Sequence, residues 1–507
     1  MRSNSTLRLT AFTTLILGLI SSTQASDKPT GQLGKGTIWE TPWYTIDSGK
    51  EGPTVMVTGG IHGNEPAGAA AAEQIRHWDI NAGKLIVVPK VNRLGLTAEM
   101  RWFPPERNNR PLRDLNRNFP TIANPAPRTS LATDVWELVE FTKPDYVVDL
   151  HEGFDFHIAN PKSVGSSIIF AKSNDRTELA NAMHEAVNKT VTDEDRKIVL
   201  LSKSGAVNGS LIRACQEKLN ISGFILETTF KDQPLSLRTR QHRVMVSTLF
   251  QKIGLIDQDQ SHRVAPSKDA RVIQIGMYDS AGATENGINN FSKLFKTNDQ
   301  FNMTQIGPAD MNPQVLNQFD VLLFPGGSGS KQAKAIGESG RNAIRKFGED
   351  GGGVVGVCAG AYLCSSHYTW SLNMINSAVF NETIEIPGVG RKSMWYRGGA
   401  SQVEIEFDKS AEPIFNRSDL TKVRYQNGPI VSKGKNTSLP DFTALAWFRS
   451  EVTKYEPQKG TMIDTPAIIT APYGKGRVLC ISPHPEATPG LEPAILDAIE
   501  YVRPQEK

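Results

Sequence analysis

The sequence predicts an α/β protein built from two doubly wound domains in tandem. Short β-branched apolar runs alternate with segments of helical spacing from residue 54 to residue 253, and a second series of this kind starts at residue 271. Such alternation gives mainly parallel sheets covered by helices on both faces. Between the two series, residues 257–269 are polar and aperiodic, the composition of a linker. The length of 507 residues suits two to four domains at roughly 100–200 residues each. The expected division is 1–25, an N-terminal signal; 30–255, a first domain; 256–269, a linker; and 270–505, a second domain.

In the first domain the runs at 55–58, 85–88, 146–150, 167–171 and 223–226 read as buried strands, bounded by Gly, Pro or charge. Residues 66–78, 131–142, 176–189, 207–219 and 243–253 have helical spacing, and Pro66 suits a first helical turn. In the second domain strands are expected at 271–276, 321–324, 354–357 and 477–481, with a long helix at 331–347. The two halves carry different motifs, so the chain reads as a fusion rather than a duplication.

Arg2 and Arg8 precede a mostly apolar run at 9–20, followed by Ser21-Ser-Thr-Gln-Ala25. The run falls short of the about 20 apolar residues of a membrane span. A charged start, a short apolar middle and a small-residue end read as a cleaved secretory signal. The expectation is an exported protein, periplasmic or secreted, with no stable membrane insertion after cleavage. With 39% hydrophobic and 21% charged residues the chain is neither disordered nor fibrous, and a net charge of +3 gives no case for nucleic acid. Four cysteines are too few for a disulfide scaffold. The sequence does not reveal the oligomeric state.

The segment Thr58-Gly-Gly-Ile-His62-Gly-Asn-Glu65-Pro-Ala-Gly68 follows a strand. A His and a carboxylate three residues apart at the mouth of a helix can converge on one point. His151 stands at the end of another strand, 146–150, and open α/β sheets place their active residues at strand carboxyl ends. Two His and one Glu form a catalytic zinc set that leaves one position open. The expected cofactor is one Zn2+ per chain on His62, Glu65 and His151. Glu152, Asp155 and His157 are nearby candidates of lower rank.

These residues resemble the zinc carboxypeptidase superfamily, and more closely its aspartoacylase and succinylglutamate desuccinylase branch with its Gly-x-His-Gly-x-Glu signature. The resemblance spans residues 37–254 and implies a zinc-carboxypeptidase-like mixed sheet. It also implies an Asn-Arg pair gripping a substrate carboxylate, matched by Asn116 and Arg117 in Asp114-Leu-Asn-Arg-Asn-Phe119, and a carbonyl-polarising Arg, matched by Arg101. Its general base is a late strand-end Glu, matched by Glu227 in Gly223-Phe-Ile-Leu-Glu-Thr-Thr229. At 91–96, Val-Asn-Arg-Leu-Gly-Leu departs from the Asn-Pro-Asp-Gly loop of peptide-cleaving relatives. The implied substrate is a small molecule or peptide with a free carboxylate.

In the second half, Gly352-Gly-Val-Val-Gly-Val-Cys358-Ala-Gly-Ala places a Cys between a strand and a helix, where a tight turn exposes a nucleophile. Pro325-Gly-Gly-Ser-Gly-Ser330 is a glycine loop that could hold an oxyanion. His484 and Glu486 supply a base and its orienting carboxylate, so Cys358, His484 and Glu486 have the makings of a triad. Cys215, Cys364 and Cys480 read as core residues. This half resembles a class I glutamine amidotransferase domain with a flavodoxin-like fold, and more specifically the amidotransferase-like N-terminal domain of certain biotin–protein ligases, over about 270–503. No synthetase partner domain is expected among these 507 residues. Three functions therefore stay open: amide hydrolysis at the metal, thiol amidase or glutaminase-like chemistry at Cys358, and a non-catalytic ligand-binding or scaffold role.

Overall fold

A computed structural model describes residues 28–203, 205–266, 271–393, 400–452 and 460–504. The expected signal at 1–25 and residues 267–269 of the expected linker lie outside the described residues.

The first sheet has eight strands: β1 (Gly31–Leu33), β2 (Thr41–Asp47), β3 (Thr54–Gly59), β4 (Lys84–Val88), β5 (Tyr146–Gly153), β6 (Ser167–Ile169), β7 (Val199–Leu201) and β8 (Ser222–Thr229). They lie in the order β1-β2-β4-β3-β5-β8-β6-β7. The central four are parallel, while β2 and β6 join them antiparallel, so the sheet is mixed. Its central strands β3, β4, β5 and β8 are buried on both faces, which is why they read as continuous apolar runs. Val55, Val57, Val148 and Leu150 enter one core cluster, and Met56 and Val147 enter the other. That is the period-two alternation of a strand. Helices Pro66–Ile75, Asn174–Asn188 and Leu235–Lys252 contribute buried residues to the first cluster; Ser130–Thr142 and Leu211–Leu219 contribute to the second.

The second sheet has nine strands. Five are parallel: Ile273–Tyr278, Phe301–Ile306, Val321–Phe324, Gly353–Val357 and Gly476–Ile481. Counted in chain order they lie 2-1-3-4-5 across the sheet, the flavodoxin-like arrangement. Four antiparallel strands, Pro466–Tyr473, Thr443–Phe448, Ser401–Phe407 and Leu420–Tyr425, extend it beyond the fifth.

Several elements differ from the sequence expectation. The four antiparallel strands escaped it, as did β1, β2 and β7. The helix expected at 243–253 begins at Leu235. Its first half buries Arg238, Gln241, His242 and Arg243, whose partners lie elsewhere in the chain, so no apolar stripe marks it. The helix expected from 207 starts at Leu211, where the Ser210 side chain caps the amide of Arg213. Residues 257–266 contain no regular element, yet they are pinned to both halves: Trp78 Nε1 donates to the Arg263 carbonyl at 3.1 Å, and Gln318 Oε1 accepts from Val264 N at 2.9 Å.

Candidate active site

Each metal-site residue is placed by the carboxyl end of a parallel strand. His62 sits three residues past the close of β3, on a turn where Gly60 has φ +67. The turn is pressed against the segment 91–96: a Cβ on Gly63 would fall 2.0 Å from the Gly95 carbonyl carbon, so only glycine fits. The departure from the peptide-cleaving pattern at 91–96 is therefore a packing partner of the His62 turn. Glu65 immediately precedes helix Pro66–Ile75, and His151 and Glu227 are register partners on β5 and β8.

The structure brings His62, Glu65 and His151 together. All three are buried, and their ligand atoms lie within 4.8 Å of one another. Glu65 Oε1 is 2.8 Å from His62 Nδ1, and Oε2 is 2.7 Å from His151 Nδ1. Both imidazoles thus turn Nδ1 inward. Their outer nitrogens are held by carboxylates: His62 Nε2 by Asp114 Oδ1 at 3.0 Å, and His151 Nε2 by Asp149 Oδ2 at 2.7 Å. Asp149 in turn accepts from the Thr58 hydroxyl at 2.7 Å. Carboxylates behind ligating imidazoles fix ring orientation and raise basicity. Sequence reasoning missed both roles, although Asp149, two residues before His151 on the same strand face, was a usable signal.

Electrostatics follow from this packing. Burial opposes ionisation of Glu65, but the two imidazoles hold it well below the usual carboxylate range. Burial likewise opposes charge on His151, but Asp149 and Glu65 raise it well above the ordinary value. A proton there balances a carboxylate-rich cage, the balance a divalent cation would supply. The donor set of two imidazoles and a carboxylate, each backed by hydrogen bonds, fits zinc.

Arg101 Nη1 lies 3.0 Å from Glu65 Oε1, and its Nη2 lies 3.3 Å from Asp114 Oδ2. Arg117 Nη1 donates to the Asn116 carbonyl at 2.7 Å. Asn116 is spent on the scaffold: its Oδ1 accepts from Leu211 N at 3.0 Å, and its Nδ2 is 3.3 Å from His151 Nε2. Glu227 is buried with Oε2 lacking a hydrogen-bond partner. Burial pushes it up to about 8, with Glu65 and Asp149 adding and His151 and Arg101 opposing. Glu152, Asp155 and His157 turn away from the cluster, toward Arg238, Lys231 and the Ser163 carbonyl.

His62, Glu65, Arg101, Asn116, Arg117, His151 and Glu227 line one cavity of about 1000 Å³. Exposed Phe154, Val164, Val207 and Phe230 line it too, so it is apolar as well as cationic.

A second cluster forms in the other sheet. Cys358 follows strand Gly353–Val357 with φ 52 and ψ −100, a strained turn for a non-glycine residue. The His484 imidazole holds Glu486 Oε1 at 2.7 Å through Nδ1 and lies within hydrogen-bond reach of the Cys358 sulfur. Burial alone would lower His484, but Cys358 and Glu486 outweigh it and hold the imidazole up at about 10. The glycine loop passes beside both: a Cβ on Gly326 would stand 2.9 Å from His484 Cε1. The thiol points at the Gln426 carbonyl, 3.5 Å away.

Comparison with known proteins agrees with this division. Residues 51–220 match the family model described as succinylglutamate desuccinylase/aspartoacylase catalytic domain. Residues 273–503 match the model described as biotin-protein ligase, N terminal. The N-alpha-acetyl-L-2,4-diaminobutyric acid deacetylase of Halomonas elongata is 34% identical over 113 residues, covering 22% of this chain and 31% of that protein. The tripeptide-bound cell shape determinant Csd4 of Helicobacter pylori is 19% identical with a TM-score of 0.36, covering 42% of this chain and 56% of that one. A succinylglutamate desuccinylase/aspartoacylase of Rhodobacter sphaeroides is 18% identical with a TM-score of 0.31, covering 46% and 63%. The chain thus spans about a third of the curated relative and roughly three-fifths of these solved chains. Glu227 lies beyond the residues matched by the first model, so its assignment rests on geometry alone. The chain thus carries an N-terminal region similar to the succinylglutamate desuccinylase/aspartoacylase catalytic domain and a C-terminal region similar to the biotin–protein ligase N-terminal domain.

Proposed function

We propose that the chain is an exported zinc-dependent hydrolase that cleaves the amide bond of a small carboxylate-bearing substrate, an N-acyl amino acid or a peptide end. The observation that carries this reading is the convergence of His62 Nδ1, His151 Nδ1 and the Glu65 carboxylate within 4.8 Å, facing the cavity that also holds Glu227 and Arg117. His62, Glu65 and His151 would hold the ion, and when bound it supplies Lewis acidity toward water and the scissile carbonyl. Glu227, with one oxygen unpartnered, accepts the proton from the attacking water and returns it to the leaving amine. Arg117 offers a fork to the substrate carboxylate. Arg101, in the lining of the same cavity, would donate to the carbonyl oxygen as charge develops. Export rests on the N-terminal sequence pattern.

A chelator tests the reading. Amide hydrolysis on a panel of N-acyl amino acids and short peptides should vanish on chelation and return with zinc, while iodoacetamide leaves it intact. The reverse pattern would favour the second reading, thiol chemistry at Cys358, whose support is the strained turn and the His484–Glu486 pairing. Turnover unchanged by Glu227→Gln would favour a role without catalysis at the metal.

A further inference from the structure

We infer that the second domain is a positioning partner of the metal site, acting through two buried arginines, Arg238 and Arg243, on helix Leu235–Lys252. This rests on the metal-site reading above. Helix Pro66–Ile75 starts next to Glu65, so its placement sets where that carboxylate points. It is held at both ends from the arginine helix. At its start, Glu152 Oε2 accepts from Ala67 N at 2.7 Å, and the other oxygen of Glu152 is paired with Arg238 Nη1. Glu152 also donates its own amide to Glu65 Oε2 at 3.1 Å, so the same residue contacts the carboxylate and the helix behind it. Near the helix end, Gln74 Oε1 accepts from Arg243 Nη1 at 2.5 Å.

The arginine helix is in turn gripped by the second domain. Ser236 donates its amide to Asp279 Oδ2 at 3.0 Å and its hydroxyl to the Asp279 carbonyl at 2.5 Å, directly after strand Ile273–Tyr278. Arg243 Nη2 reaches Asp310 Oδ1 at 3.0 Å, and its Nε reaches the Ser261 carbonyl at 2.8 Å. Arg243 is 1% exposed. The two arginines each have an opposite partner, Arg238 with Glu152 and Arg243 with Asp310. Cutting a buried pair on one side strands the other charge and forces local rearrangement. The rearrangement falls on the elements that present Glu65 and His151.

The experiment is zinc affinity of the full chain, by competition with a chromophoric chelator, alongside thermal unfolding. Arg238→Met should weaken zinc binding by about tenfold or more, the range seen when groups behind metal ligands are removed. Glu152→Gln with Arg238→Met should restore it to within about threefold, because the amide oxygen can still take the Ala67 N–H and no buried charge is stranded. Asp310→Asn, in the other domain, should weaken zinc by about threefold or more. Met245→Ala, a core truncation on the same helix that removes none of the hydrogen bonds or ion pairs above, should lower the melting temperature without changing zinc affinity. Zinc affinity unchanged in Arg238→Met or Asp310→Asn, no recovery in the double variant, or equal loss in Met245→Ala would overturn the inference. Failure of the unmodified chain to bind zinc would instead overturn the metal-site reading on which it rests.

Discussion

Glu227 and Arg117 divide the proposed work, and each has a separable signature. Glu227→Gln keeps the shape and removes the base, so kcat should fall by roughly 10²–10⁴ while zinc content stays at one per chain. Arg117→Ala removes a charge-assisted contact worth about 1.5–3 kcal/mol, and kcat/KM for a carboxylate substrate should drop roughly 10- to 150-fold, mostly through KM. A substrate with an amidated carboxyl should show no such difference between the two proteins. Asp149→Asn leaves His151 in place but weakens its brace, and zinc affinity should fall about 10- to 100-fold in a competition assay. The convergence of His62, Glu65 and His151 was legible in the sequence because each stands at a strand end beside glycines or in a strict spacing. Asp114 was quoted only as a neighbour of the Asn-Arg pair; its bond to His62 crosses 52 residues, a distance that no local pattern encodes.

At the level of elements, the strands in the middle of each sheet were legible, while the edge strands β7 and Phe301–Ile306 and the four-stranded antiparallel extension were not. Strands such as Tyr146–Gly153 and Gly353–Val357 are buried on both faces and show as unbroken apolar runs. Ser401–Phe407 alternates exposed and buried residues, and its Gln and Glu residues hide it among loops. Helix Leu235–Lys252 was half hidden for a different reason: the buried residues of its first half are charged and polar, and Arg238, Arg243 and His242 reach Glu152, Asp310 and Thr228 on distant elements. The Cys358 turn and the loop after strand Gly476–Ile481 form a second unit with its own pH signature. His484 is raised to about 10 by Cys358 and Glu486 against the opposing effect of burial. A histidine raised on folding stabilises the native state fully below its unfolded value of about 6.5 and loses that contribution as pH climbs toward its folded value. The unfolding free energy of the chain should therefore fall between pH 6.5 and about 10, and His484→Asn should flatten that slope in denaturant titrations.

On the scale of the whole molecule, two sheets with their own cores carry two clusters at strand carboxyl ends, and helix Leu235–Lys252 with the strap at 257–266 fastens them together. The polar composition of that strap suggested a free linker; its hydrogen bonds to Trp78 and Gln318 make it a clasp, because its polar groups find partners on both sides. The division into a metal cluster and a thiol cluster makes the identity of any bound metal's ligands decisive. Zinc-edge X-ray absorption of the purified full chain is the most direct measurement. The account predicts one zinc per chain with two imidazole nitrogens and only oxygen otherwise in its first coordination sphere, abolished in His151→Ala. A sulfur shell, or an unchanged spectrum in His151→Ala, would contradict it.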